Sequence, residues 1–299
     1  MTKPSVVVLM GGPDAERGVS IHSGTAVTKA LQTCGEYSVT SIVIDTVTTD
    51  DLRTMSADVF FPVLHGPYGE GGLLQQTLEE TQIPFVGSGS SVSECAMHKI
   101  RTKEIAKSAG IQTPTWCEVT KEKPCTLVTP YILKPIDEGS SIDLAICKTP
   151  EEALRESNRL LSRRPTLLAE SYIDGRELTV GIIDGIPLPI FEILPPEDLR
   201  TYDYSAKYER DDTIYLPDPF LPENDCVEQA MKLYELLGVR DIARVDFLLD
   251  ACGSWMLELN TMPGFTDHSL VPMAADYAGM SMPTLCTKLV HCALRRKVK

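Results

Sequence analysis

Short apolar runs alternate with amphipathic stretches through the first third of the chain. Val6-Val7-Val8-Leu9-Met10 is unbroken and ends in Gly11-Gly12, the pattern of a strand buried on both faces that enters a loop. A helix is expected over residues 19–31, strands over 38–44 and 59–64, a helix over 73–80 and a strand at Phe85-Val86. This alternation predicts a parallel sheet with helices on its faces, closing near Gly87-Ser88-Gly89-Ser90. The stretch Leu64-His65-Gly66-Pro67-Tyr68-Gly69-Glu70-Gly71-Gly72 reads as a glycine-rich loop at a strand's carboxyl end, where open α/β sheets place ligands.

Beyond residue 90 the pattern changes. A helix over 93–109, strands at 116–119, 131–134 and 142–147, a helix over 150–161 and a strand at 167–170 predict a small antiparallel α+β unit. Thr149 is the N-cap of the second helix and Pro150 its first residue. Strands 178–183 and 186–194 form a hairpin about Asp184-Gly185. Residues 201–214 are polar and aromatic without period, a long loop of the kind that serves as a lid. A helix over 224–237 precedes a second hairpin, and helices over 270–278 and 283–296 finish the chain. The division predicted is 1–90, 91–170 and 171–299.

The second hairpin runs from Arg244 to Asn260. A turn centred on Cys252 sets Asp246 opposite Glu258 and Arg244 opposite Asn260. Alternation then gives these four polar groups one face and Val245, Phe247, Leu257 and Leu259 the other. Facing carboxylates repel unless a cation sits between them, and an all-oxygen set suits magnesium better than zinc. The same residues also read as the solvent face of an edge hairpin, with Arg244 simply paired to Asp246.

Composition narrows the function classes. The length of 299 residues allows two or three domains, and 43% hydrophobic content is ample for a core. A net charge of −14 argues against nucleic acid and anionic membranes as partners. No leader-like or membrane-spanning run is present, which predicts a cytoplasmic protein. The nine cysteines are scattered without a Cys-x-x-Cys pair, so buried free thiols are expected rather than disulfides or structural zinc.

Neither G-x-G-x-x-G nor G-x-x-x-x-G-K-[ST] occurs, which disfavours a nicotinamide fingerprint and excludes a P-loop. A triphosphate would instead need lysines such as Lys99 and Lys134, although single lysines usually sit in solvent. Glu16 alone reads equally as a helix-start acid.

The order of the segments is more specific. GGPDAERGVS from Gly11, LHGPYGEGG from Leu64, MHKIRTK from Met97, LKPIDEGSS from Leu133, ESYIDGRELTV from Glu170, YDYSAKY from Tyr202 and RVDF…LELNTMPGFTDHSLVP over 244–272 together resemble the D-alanine–D-alanine ligase family of the ATP-grasp superfamily. The resemblance spans essentially the whole chain. It implies an α/β and α+β ATP-grasp fold: an N-terminal parallel α/β substrate domain, then two domains clasping ATP between antiparallel sheets, with the lid at 201–214.

The resemblance also assigns roles. It implies that Asp246, Glu258 and Asn260 ligate a pair of magnesium ions, or manganese, on the ATP phosphates, which decides the hairpin in favour of metal. Lys99, Lys134 and the lid's Lys207 match phosphate contacts, and Glu170, Ile173 and Glu177 match the adenine and ribose site. Glu177 has a strand-end charge as its plainer reading. Glu16 matches the receiver of the first D-alanine's ammonium group, hydrogen-bonded with Ser140 and Tyr208. His65 matches a histidine near that substrate's carboxylate, with a loop-capping histidine as the plainer reading. Arg244 and the Gly264 N–H match the oxyanion donors, and Ser269 and Leu270 the contact to the second D-alanine.

Pro13-Asp14, Gly71, Asp143 and a short 119–131 connection depart from the family pattern near phosphate and bear on ATP affinity. The activity implied is ATP-dependent joining of two D-alanines through an acyl phosphate, for peptidoglycan precursors, by a homodimer. The alternatives are a D-alanine–D-lactate or other D-alanine–X ligase, which Tyr208 weighs against, and a weakened nucleotide-binding protein, which Arg244, Asp246, Glu258 and Asn260 weigh against.

Overall fold

The computed structural model describes residues 3–196, 210, 212–221 and 224–296. The lid expected at 201–214, with Lys207 and Tyr208, lies largely outside the described residues.

Strand β1 (Ser5–Gly11) is the centre of a parallel sheet ordered β2-β1-β3, with β2 at Ser38–Ile44 and β3 at Val59–Pro62. Both faces of β1 are covered, as its unbroken apolar run requires. Val7 and Leu9 meet Leu52, Leu74 and Leu78 on one side. Val6, Val8 and Met10 meet Val27 and Leu31 of helix α1 (Arg17–Cys34) on the other. The same core takes in Leu285, Leu289 and Val290 of the C-terminal helix Met282–Arg295. Division by chain order assigns this helix to 171–299, whereas its apolar face is buried with the first sheet. Phe85 makes a single parallel bridge to Phe60 rather than a strand.

A second sheet, antiparallel and ordered β4-β7-β5-β6, comprises Trp116–Val119, Leu167–Ser171, Tyr131–Pro135 and Ala145–Cys147. The third is antiparallel, ordered β11-β10-β8-β12-β13, with β9 (Ile186–Pro187) beside β8. Its strands are Ile214–Pro217, Phe191–Leu194, Arg176–Ile183, Ile242–Asp250 and Gly253–Asn260. Pro187 and Pro189 divide the single strand expected over 186–194, because proline cannot donate to the ladder.

The helix expected over 93–109 is two helices, Ser90–Met97 and Lys99–Ser108. His98 is extended and caps the second through Nδ1, which accepts from the Arg101 N–H at 3.4 Å. That break aims Lys99 across to the second sheet, where its N–H donates to the Ile136 carbonyl. Both helices pack on the third sheet beside Cys226–Leu237, with Ala96 and Ala106 against Leu178, Phe247 and Leu233. The glycine-rich stretch contains a short helix, Gly66–Glu70. Asp14 fastens it by accepting from the Tyr68 N–H at 2.9 Å.

Leu289 is fully buried between the ends of the chain. Leu289→Ala is expected to lower unfolding free energy by about 2–5 kcal/mol, read from urea denaturation followed by circular dichroism.

Candidate active site

The 244–260 hairpin pairs Arg244 with Asn260 and Asp246 with Glu258, the register expected. The turn is centred half a residue earlier than Cys252, since Asp250 faces Gly253 and Phe247 faces Met256. A bulge leaves Leu257 unpaired and restores the expected register beyond it. Met256, not Leu257, therefore enters the core, while Leu257 lines a cavity beside Leu248.

β12 lies between β8 and β13, and β13 ends the sheet, as an edge hairpin would; the polar face nevertheless lines cavities rather than open surface. Asp246 is buried and held by several donors. Arg244 Nε reaches its Oδ1 at 2.9 Å, an Arg244 terminal nitrogen its Oδ2 at 2.8 Å, and Thr179 Oγ1 donates to Oδ1 at 2.6 Å. Asn260 Nδ2 donates to Oδ2 at 3.3 Å. Glu258 pairs with Lys99 Nζ at 3.2 Å. The Arg244–Asp246 pairing of the plainer reading is thus present, but inside a cavity wall.

That wall serves two chambers of about 350 Å³ each. Gly139, Arg244, Glu258 and Leu270 line both. The first chamber is walled by Lys99, Lys134, Glu170, Ile173 and Glu177 among others. Glu170 is 1% exposed and ion-paired to both Lys134 and Lys103. Burial alone would raise the Glu170 pKa, but the two ammonium groups hold it below the usual carboxylate range. Burial presses Lys103 down to about 8 against the pull of Glu170. For Lys134 burial also pulls down, and Glu170 and Glu258 outweigh it. Sequence reading missed Lys103, although it follows Lys99 by one helical turn in MHKIRTK. It missed Thr179 for want of any local signal, because that contact depends on β8 pairing with β12.

The second chamber brings together Glu16, His65, Ser140, Gly264, Ser269 and Arg244. Glu16 stands at the N-cap of α1 without capping it. Its carboxylate accepts from Ser140 Oγ, 124 residues away, so the helix-start reading does not account for it. His65 is buried, and its Nε2 has no hydrogen-bond partner among the described residues. Burial lowers its pKa to about 4; a hydrogen bond with the Met262 backbone opposes this and Arg244 adds to it. Glu70, also unclaimed from sequence, is buried nearby and accepts from the Gly66 N–H at 3.2 Å. Burial, then Glu16, pushes it up to about 8.

A side chain at Gly264 would place Cβ 2.8 Å from Ser269 Oγ, so only glycine leaves that backbone open to the chamber. Ser269 Oγ accepts from the Thr266 N–H at 2.9 Å, and Ser269 precedes the helix Leu270–Tyr277. At Gly71 a Cβ would lie 2.3 Å from the Pro67 carbonyl, so this backbone leaves no room for a side chain there. Among the described residues no three His, Cys, Asp or Glu side chains converge as a metal cluster. The Asp246, Glu258 and Asn260 set still suits magnesium, which commonly takes one or two carboxylates and draws its other oxygens from phosphate and water.

Known proteins resemble this chain in sequence and fold. The family model for the D-ala D-ala ligase N-terminus matches residues 46–88, and that for the C-terminus matches 101–291. The D-alanine–D-alanine ligase of Syntrophotalea carbinolica is 37% identical over 303 residues, covering 99% of this chain and 98% of the relative. That of Methylacidiphilum infernorum is 38% identical over 298 residues, covering 97% and 96%. A crystal structure of the Bacillus anthracis D-alanine–D-alanine ligase complexed with ATP superposes with a TM-score of 0.84 at 29% identity, covering 98% of each chain. With both family models matched and near-complete coverage by relatives above 30% identity, the chain belongs to the D-alanine–D-alanine ligase family and has its ATP-grasp fold.

Proposed function

We propose that the chain joins two D-alanine molecules into D-alanyl-D-alanine at the expense of ATP. The observation that carries this is the pair of chambers meeting at Arg244 and Glu258, one walled by lysines and the other by a carboxylate and oxyanion donors. ATP would occupy the first, with Ile173 and Glu177 toward the nucleoside and Lys99 and Lys134 toward phosphate. Glu170 acts there mainly by holding Lys134, since both lysines engage it.

Glu16 receives the first D-alanine's ammonium group and Ser140 fixes that carboxylate's orientation. His65 is neutral at physiological pH and offers Nε2 to the substrate's carboxylate region. The carboxylate attacks the γ-phosphate, the bond to the β,γ-bridging oxygen breaks and ADP leaves, giving an acyl phosphate whose oxygen is now a good leaving group. The second substrate's neutral amine then attacks the carbonyl, its own carboxylate held at Ser269 and Leu270 where helix N–H groups can face an anion; the tetrahedral adduct expels phosphate and the nitrogen loses a proton to give the amide. Arg244 and the Gly264 N–H stabilise the oxyanion that exists only during this step. Magnesium, held by Asp246, Glu258 and Asn260, would neutralise charge on the transferring phosphoryl group. Lys207 and Tyr208 complete the same reading from the lid that excludes water.

The remaining parts of the reading are a domain division at 90 and 170, a cytoplasmic homodimer, and a place in cell-wall precursor synthesis. No helix among the described residues is long and apolar enough to cross a membrane.

ADP release should require D-alanine, fail with L-alanine and stop on chelation of magnesium; release independent of D-alanine would refute the activity. Mass spectrometry of products from D-alanine, D-serine and D-lactate together should show D-alanyl-D-alanine dominant. Asp246→Asn should reduce kcat by about 100-fold or more and raise the magnesium requirement, since it removes a charged ligand. Glu70 binds its proton more tightly folded than unfolded, its pKa rising from 4.5 to about 8. Its contribution to stability is therefore full below its unfolded value and is lost as pH climbs toward the folded one. Glu70→Gln should flatten the fall in urea midpoint between these two values; an identical slope in both proteins would contradict the assignment.

A further inference from the structure

The segment joining β5 to β6 covers one end of the nucleotide chamber, with Glu138, Gly139, Ser141, Ile142 and Leu144 in the wall. Its backbone is strained. Ser140, Ser141 and Asp143 all have positive φ, at 53°, 58° and 56°. Such conformations persist in non-glycine residues only where the surroundings over-determine them. Two turns close the segment on itself, from the Ile142 N–H to the Gly139 carbonyl and from the Leu144 N–H to the Ser141 carbonyl.

A restraint comes from the C-terminal end of the helix Pro150–Leu161 and the residues just after it. Arg164 contacts Glu138 at 2.6 Å and Asp143 at 3.6 Å, spanning both ends of the covering segment. Arg159 and Arg163 approach the other Asp143 oxygen at 3.4 and 3.8 Å. The Asp143 side chain is 17% exposed and turned out of the chamber toward these arginines. On its inner side the segment is fastened at two further points. Lys99 Nζ donates to the Glu138 carbonyl at 2.5 Å, and Ser140 donates to Glu16. Asp143 thus combines a left-handed backbone with an ionic contact to the arginines.

We propose that Arg164, assisted by Arg159 and Arg163, is a positioning residue that staples the 137–144 segment down over the phosphate end of the chamber before nucleotide arrives. Opening the staple then sets how readily nucleotide enters and leaves. The inference rests on the ATP-dependent reading for its kinetic consequence, but not for the staple itself. The competing account is that Asp143 is merely a tolerated left-handed residue whose arginine neighbours are solvated.

Asp143→Asn separates the two, because asparagine accepts the same backbone but carries no charge. Arg164→Gln removes the other partner. Hydrogen exchange of the peptide spanning 137–145 is measured in nucleotide-free protein, with circular dichroism and melting temperature as the check on folding. Pairs this exposed are individually weak, so each variant should speed exchange by about fivefold and raise KM for ATP similarly, with kcat within about twofold. Raising salt to about 0.5 M should bring wild-type exchange toward that of the variants, since the contacts are part-exposed. Exchange in both variants equal to wild type, at low and high salt, would overturn the proposal. Faster exchange in a protein that shows no D-alanine-dependent ADP release would support the staple and refute the ligase reading instead.

Discussion

Asp246 and Glu258 face each other on adjoining strands, and everything around them answers that repulsion. Arg244 and Lys99 neutralise them in the described protein, and each of these cations reaches the pair from a different direction. Lys99 arrives only because the helix breaks at His98, and Arg244 is two residues away on the same strand face. Such balance is conditional. In the proposed reading these carboxylates would hold magnesium, and the resting pairs with Arg244 and Lys99 keep the site charge-balanced without it. A chain of net charge −14 needs this concentration of lysine and arginine to accept a polyanion at all.

A second balance lies behind the first. Lys103, Glu170 and Lys134 form a buried triad spanning a helix and two neighbouring strands of the second sheet. Removing one member of such a group typically costs about 3–5 kcal/mol, because the partner is left charged without water. The triad therefore fixes the angle at which Lys134 enters the first chamber. It also explains how a lysine stays charged at a site where burial alone would favour the neutral form.

Much of this was legible in the chain, and the failures have physical causes. Register in the 244–260 hairpin followed from alternation, yet the bulge at Leu257 hid behind a compensating shift of the turn, so the end pairs matched while Met256 and Leu257 exchanged faces. Local pattern cannot see pairings made across sequence, which is why Thr179 went unread and why Glu170 showed only its strand and not its two lysines. The helix over 93–109 had no proline or glycine to mark its break; a histidine that caps from mid-pattern gives no such warning. Gly71 and Asp143 looked like weakened phosphate contacts. In the structure a neighbouring carbonyl leaves no room for a side chain at the first, and the second lies against arginines outside the chamber. The segment carrying Lys207 and Tyr208 lies outside the described residues.

The burial of helix Met282–Arg295 against the first sheet has a consequence for vectorial synthesis. The opening strands are made about 220 residues before the element that seals one of their faces. Until that helix follows, Val6, Val8 and Phe61 have only part of their apolar neighbours, and the nascent first sheet carries an open hydrophobic flank. Consolidation of that sheet thus waits on an element far downstream in synthesis.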